Sequence, residues 1–114
     1  MDSIININGK DYELVLTTLA MKKIGEKYGG LEKLGDKFEH SDSNTAVEDI
    51  IWLLTLLINQ GILRNNYKNN THDKTFAEDE IALLTDPSEI VGFQEKISNA
   101  FKRGVERKVP YEKN

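Results

Sequence analysis

The stretch from Thr45 to Leu63, TAVEDIIWLLTLLINQGIL, constrains the fold more than any other part of this chain. It is the most apolar run and the only one long enough to form the middle of a core. Val47, Ile50, Ile51, Leu54, Leu57, Ile58 and Gly61 recur at helical spacing and make one apolar face. Trp52, Leu53 and Leu56 lie off that face and are apolar too, and a helix greasy on more than one side is normally buried from several sides. Asn44 or Thr45 is placed to cap its start, with Glu48 and Asp49 at the positive end of the dipole. Gly61 is a weak point near its end. Polar residues close to both ends (Glu48, Asp49, Asn59, Gln60 and Arg64) leave the run too short for a membrane span. It is therefore expected to be the central helix of a small domain. Its second apolar side is covered either by neighbouring helices or by another subunit.

Upstream, SIINI and KDYELVL flank Asn8-Gly9. Asn-Gly favours a two-residue hairpin turn because a type I′ turn needs positive φ at both positions. That turn sets Ile7 opposite Lys10, Ile5 opposite Tyr12 and Ser3 opposite Leu14. Ile5, Ile7, Tyr12, Leu14 and Leu16 then share one face, and Asn6, Asp11 and Glu13 the other. A lone hairpin is marginal in water, so its apolar face must pack on helices or on another chain.

After the hairpin, Thr17-Thr18 reads as a helix start. Leu19, Ala20, Met21, Ile24 and Tyr28 follow helical periodicity up to a stop at Gly29-Gly30. Leu31 to Phe38 suggests a further short helix, weakened by Gly35. The segment His40 to Asn44 reads as a polar loop. Arg64 to Lys74, RNNYKNNTHDK, is Asn-rich and nearly without apolar residues, which predicts a long exposed and mobile loop. Thr75 caps a short helix to Leu84 that buries Phe76, Ile81 and Leu84. Asp86-Pro87-Ser88-Glu89 is a strong second start, with Asp86 as N-cap, Pro87 at the first helical position and Glu89 at capping-box spacing. The last helix carries Ile90, Phe93, Ile97, Phe101 and Val105 at steps of three or four, with local weakness at Gly92 and Gly104, and Pro110 ends it. The expected architecture is α+β and mostly α-helical: one domain over residues 1–114, with a hairpin (3–16) packed on four to five helices (17–109) and a frayed tail (110–114).

Composition narrows the chemistry. The 114 residues hold no cysteine, and the formal net charge is −4, which argues against a general nucleic-acid binder. Met1 to Lys10 has neither a basic region nor a long apolar stretch, so a cytoplasmic location is expected. His40 and His72 stand in polar loops without converging ligands, so no metal and no cofactor are implied. Glu48/Asp49 and Glu78/Asp79/Glu80 sit at helix starts, where dipole complementation alone explains carboxylates. No nucleophile–base set and no phosphate-loop pattern occurs, so an enzyme is not expected. Lys96, Lys102, Arg103, Arg107, Lys108 and Lys113 crowd the C-terminal end among Glu95, Glu106 and Glu112. Without interleaved stacking aromatics, these too read as ordinary dipole complementation.

The order of these elements resembles a known family. An I-x-I-N-G-K-x-Y-E-L hairpin (Ile5 to Leu14) leads to a short helix ending in Gly-Gly (Thr18 to Gly30). An apolar central helix follows, and then an L-T-D-P-S-E start (Leu84 to Glu89) to the last helix. This layout resembles the tail assembly chaperones of long-tailed, siphophage-type bacteriophages and prophages. The resemblance implies a non-enzymatic protein of the bacterial host cytoplasm, absent from the mature virion. Such a protein binds the tape measure protein, keeps it soluble and recruits major tail protein subunits. In many such phages a ribosomal frameshift also makes a longer form. No catalytic residue carries over.

A binder of long amphipathic helices needs an exposed apolar strip. The candidates are the hairpin face and the outer side of the last helix with its tail: Phe101, Val105, Val109 and Tyr111. Core packing is the plainer role for each. Homo-oligomerisation stays open. Two other functions stay open as well: another phage structural component, such as a connector or tube-associated protein, or a small nucleic-acid-binding regulator using the basic C-terminal helix.

Overall fold

The computed structural model describes residues 2–30, 32–34 and 43–106. In order they form β1 (Ile4–Ile7), β2 (Lys10–Glu13), α1 (Thr18–Tyr28), α2 (Ser43–Asn69), α3 (Glu78–Leu84) and α4 (Ile90–Glu106). A further helical turn lies at 32–34, and a 3-10 turn, Pro87–Glu89, leads into α4. The fold is α+β and mostly helical, with an N-terminal antiparallel hairpin on a helical bundle. Phe38 and His40, and the expected stop at Pro110, fall outside the described residues.

The hairpin has the register its turn dictates. Ile5 pairs with Tyr12 and Ile7 with Lys10, and the Leu14 N–H donates to the Ser3 carbonyl at 2.8 Å. Asn8 and Gly9 take φ of 54° and 86°, as a type I′ turn requires. The Asn6 side chain braces the turn, accepting from the Gly9 N–H and donating to Asp11. Ile5, Ile7 and Leu14 are buried, and Tyr12 packs edge-on to Phe76.

α2 is the axis of the molecule and touches α1, β2, α3 and α4. Ile50, Ile51, Leu53, Leu54, Leu57 and Ile58 are all buried, whereas Val47 is exposed. Its second apolar side is covered within the chain. Leu53 lies in the core, and Trp52 is half-buried against the Tyr28 ring, with the Lys27 ammonium 5.1 Å from its ring centre. Asn44 and Thr45, expected as caps, lie inside the helix.

The largest departure from expectation is the Asn-rich segment. α2 continues through Arg64 to Asn69 instead of ending near Leu63. Asn59 and Asn66, seven residues and so two turns apart, share one helix face and hold the returning chain. The Asn66 carboxamide accepts from the Asp73 N–H and the Thr71 hydroxyl and donates to the Asp73 carbonyl. The Asn59 carboxamide accepts from the Phe76 N–H and donates to the Phe76 carbonyl, both at 2.8 Å. Asn70 supplies the left-handed residue (φ 56°) that turns the chain back. The expected mobile loop is thus shorter and tied down by side chains that replace its main-chain ladder.

This anchoring also shifts the next helix. Thr75 and Phe76 run extended along α2, so α3 starts at Glu78, not at Thr75. The Ala77 N–H is satisfied by Glu80 Oε1 at 2.8 Å. α3 is two turns long and meets the core through Ile81 alone, which leaves Phe76 half-buried and Leu84 exposed, against expectation. The Asp86–Glu89 start forms as expected, with the Asp86 N–H bonded to Glu89 Oε1 at 2.7 Å.

Candidate partner-binding surfaces

The segment leaving β2 is clamped between two helices, and both clamps are glycines. A Cβ on Gly61 of α2 would stand 2.7 Å from the Glu13 carbonyl oxygen, and one on Gly104 of α4 would stand 2.8 Å from Leu16 Cβ. Neither glycine is a weak spot. Each lets main chain approach where any side chain would collide. Between them the Val15 N–H donates to the Leu57 carbonyl at 3.2 Å, and the Thr17 hydroxyl donates to the buried Gln60 side chain while accepting from the Ala20 N–H to cap α1.

Alongside this clamp opens a groove of about 1160 Å³. One wall is β2 and its continuation, Lys10 to Thr18. The opposite wall is the polar half of α2, with Gly61, Ile62, Arg64, Asn65 and Lys68, and Ala100, Arg103 and Gly104 of α4 close one end. The groove is wide, with mixed apolar and charged lining.

Apolar side chains are also left in solvent where α3 turns into α4. Leu83 is 82% exposed and Val91 78%, with Leu84 beside them. These three bracket the Thr85–Glu89 turn. The signal that marks this corner in sequence is Leu83-Leu84 followed by Pro87, two leucines at the end of a helix too short to bury both.

The partner-binding residues expected from sequence do not form one strip. The hairpin face is consumed by the core. Phe101 packs against the core, Val105 is exposed, and Val109 and Tyr111 lie outside the described residues. The basic side chains of α4 are largely engaged. Lys96 pairs with Asp2 at 2.6 Å, Asn99 donates to the Asp2 carbonyl, and Arg103 reaches both Ser3 Oγ and Glu13. The Lys96 hydrogen bond holds the Asp2 carboxyl below its ordinary range. These contacts tether the start of β1 to α4.

The acidic pair Glu48/Asp49 separates into an exposed and a buried member. Asp49 accepts a 2.6 Å hydrogen bond from the Tyr28 hydroxyl. Burial, reinforced by this carboxylate, pushes the Tyr28 phenol far above its ordinary range. His72 is exposed, and among the described residues no group of three or more His, Cys, Asp or Glu is placed to hold a metal ion. Among the described residues no helix is long and apolar enough to cross a membrane. Compared with known proteins, the chain matches no family, no curated protein and no solved structure.

Proposed function

We propose that this chain is a non-enzymatic assembly chaperone of the phage-tail type, which shields amphipathic helices of a tape measure protein and engages major tail protein subunits. The observation that carries the reading is the α3–α4 corner. The L-T-D-P-S-E stretch, one of the motifs on which the resemblance rests, forms a rigid capped turn, and Leu83, Leu84 and Val91 project from its two flanks. Solvent-exposed leucine and valine at the junction of two helices suit the apolar stripe of a partner helix. Contacts of this size are weak one at a time and gain strength along a long partner through multivalency.

The test is co-expression with the tape measure protein of the same genome. The chaperone should keep that protein in the soluble fraction and co-purify with it. The Leu83→Glu/Val91→Glu pair, both exposed, should abolish capture without loss of fold. A tape measure protein that is equally insoluble with and without this chain would end the proposal.

A further inference from the structure

We propose that the outer edge of β2 is a strand-acceptor site for an extended segment of a partner protein carrying carboxylates on alternate residues. This goes beyond the chaperone reading and does not depend on it, since it concerns a different surface and a different partner conformation.

Among the described residues the sheet has two strands, so β2 has a second edge. Hydrogen-bonded and non-bonded pairs alternate in an antiparallel ladder. The Leu14–Ser3 bond therefore makes Tyr12–Ile5 and Lys10–Ile7 the bonded pairs and turns the main-chain groups of Asp11, Glu13 and Val15 to the far edge. Two contacts agree with that assignment: the Glu13 carbonyl faces Gly61, and the Val15 N–H bonds to the Leu57 carbonyl. α2 thus covers this edge only at its C-terminal end. Among the described residues, the Asp11 N–H and carbonyl and the Glu13 N–H have no hydrogen-bond partner. They face the groove, which residues Lys10 to Val15 line and no residue of β1 does. Unpaired main-chain groups in a row along one wall match a strand, because a helix has no free main-chain groups along its side to offer in return.

Charge selects the occupant. The groove is lined by Lys10, Arg64, Lys68 and Arg103 and by Asp11, Glu13 and Asp73. Arg103 and Glu13 pair with each other at 3.3 Å, and Asp11 is held by the Asn6 carboxamide at 2.9 Å. Asp73 stands at the far rim, its main chain tied to Asn66. Among the described residues Lys10, Arg64 and Lys68 make no ion pair, and the Lys10 ammonium lies 5.4 Å from the centre of the Tyr12 ring. Arg64 and Lys68 are one turn apart on α2, a like-charge spacing that disfavours a helix and that an incoming anion would relieve. Side chains alternate along a strand, so every second residue of an added strand falls on the face of the sheet that Lys10 shares with Tyr12, towards α2. Carboxylates at those positions meet the unpaired bases, and the intervening residues stand over Asp11 and must not be acidic. A second copy is a poor occupant, because antiparallel self-pairing about this edge sets Asp11 against Asp11 or Glu13 of the other copy, and like charges directly opposite are destabilising.

The probe is a fluorescein-labelled octapeptide of alternating Glu and Thr, titrated against the full chain at low salt. Saturable binding is expected, with slowed amide exchange at Asp11 and Glu13. The Arg64→Glu/Lys68→Glu pair should weaken it about tenfold, as the loss of two partly exposed ion pairs implies. Asp11→Pro removes an N–H that β1 does not use, and should weaken binding by about tenfold or more. The same peptide N-methylated on alternate amides leaves the protein untouched and should not bind, nor should the alternating Lys/Thr peptide. Leu83→Glu/Val91→Glu should leave this binding unchanged, so the two surfaces fail separately. No binding at about 1 mM peptide, where even a weak site is half-filled, would overturn the proposal. Unchanged affinity in both Arg64→Glu/Lys68→Glu and Asp11→Pro, or full affinity of the N-methylated peptide, would overturn it equally.

Discussion

From Asp49 to Gln60, α2 is wrapped on every side, and not one residue is exposed. From Gly61 to Asn69 the same helix runs on, with only Gly61, Ile62 and Asn66 partly covered. The first half contains Ile50, Ile51, Trp52 and Thr55, none a strong helix former, and burial holds it. Two of its buried polar side chains are bonded as well: the Thr55 hydroxyl donates back to the Ile51 carbonyl, and Gln60 accepts from the Thr17 hydroxyl. The second half has little burial, and its glycine, tyrosine and three asparagines are poor helix formers. Asparagine side chains hold it by bonding to the chain that folds back along it, and the Asn69 carboxamide also bonds to Asn65 at 2.7 Å. One continuous helix is thus supported by two different forces, and each can be removed separately.

The largest expected effect is in the wrapped half. Leu54 is fully buried, so Leu54→Ala should cost about 2–5 kcal/mol in urea melts. Leu63→Ala, in the open half, should stay within about 0.5 kcal/mol of the parent. Equal losses at the two positions would erase the distinction between the halves.

The junction comes next. Ala is favoured over Gly in a helix by about 1 kcal/mol, but at Gly61 the added Cβ would press on the Glu13 carbonyl, which is main chain and cannot swing aside. The clash should win, and Gly61→Ala should lose about 1–3 kcal/mol. Gly92→Ala, with no atom within 4 Å of the new Cβ, should instead gain about 0.5–1 kcal/mol. A stabilised Gly61→Ala protein would mean that β2 does not approach α2 so closely.

Near its start, α2 is also held by the Tyr28–Asp49 bond. Tyr28→Phe should cost about 1–2 kcal/mol at neutral pH, for a hydrogen bond to a buried carboxylate. Because folding raises the phenol's pKa, its contribution is complete below about pH 10, the unfolded value, and is lost as pH climbs from there towards the folded value. The parent should therefore lose stability between about pH 9 and 11 more steeply than Tyr28→Phe, measured by denaturant melts across that range.

The smallest effect belongs to the open half. Asn66→Ala removes three side-chain bonds in a solvated setting and should cost about 0.5–1.5 kcal/mol. Its clearer signature is faster amide exchange at Asp73 and in the last turns of α2, with no change at Leu54. Unchanged exchange at Asp73 would show that the asparagine does not hold the returning chain.

Where local chemistry decides the backbone, the sequence is readable. Asn8-Gly9 has one favoured two-residue turn, and that turn dictates the hairpin register from Ser3 to Leu14. Pro87 between Asp86 and Glu89 permits a helix start and little else. The 45–63 run has no stable home but a core. The proposed binding surfaces are less legible. Leu83, Leu84 and Val91 look like ordinary core residues until the length and placement of α3 show that it buries Ile81 alone.

Sequence by itself determined the fold class, the hairpin and the helix that must be central, because each follows from periodicity or from the φ preferences of one or two residues. Only the tertiary structure decided where α2 ends, what Gly61 and Gly104 are for, and which edge of β2 stays open. Those depend on contacts between residues distant in the chain: Asn66 with Asp73, Gly61 with Glu13, Gly104 with Leu16. A glycine that weakens a helix and a glycine that admits a neighbouring strand are the same residue in sequence, and only the neighbour separates them.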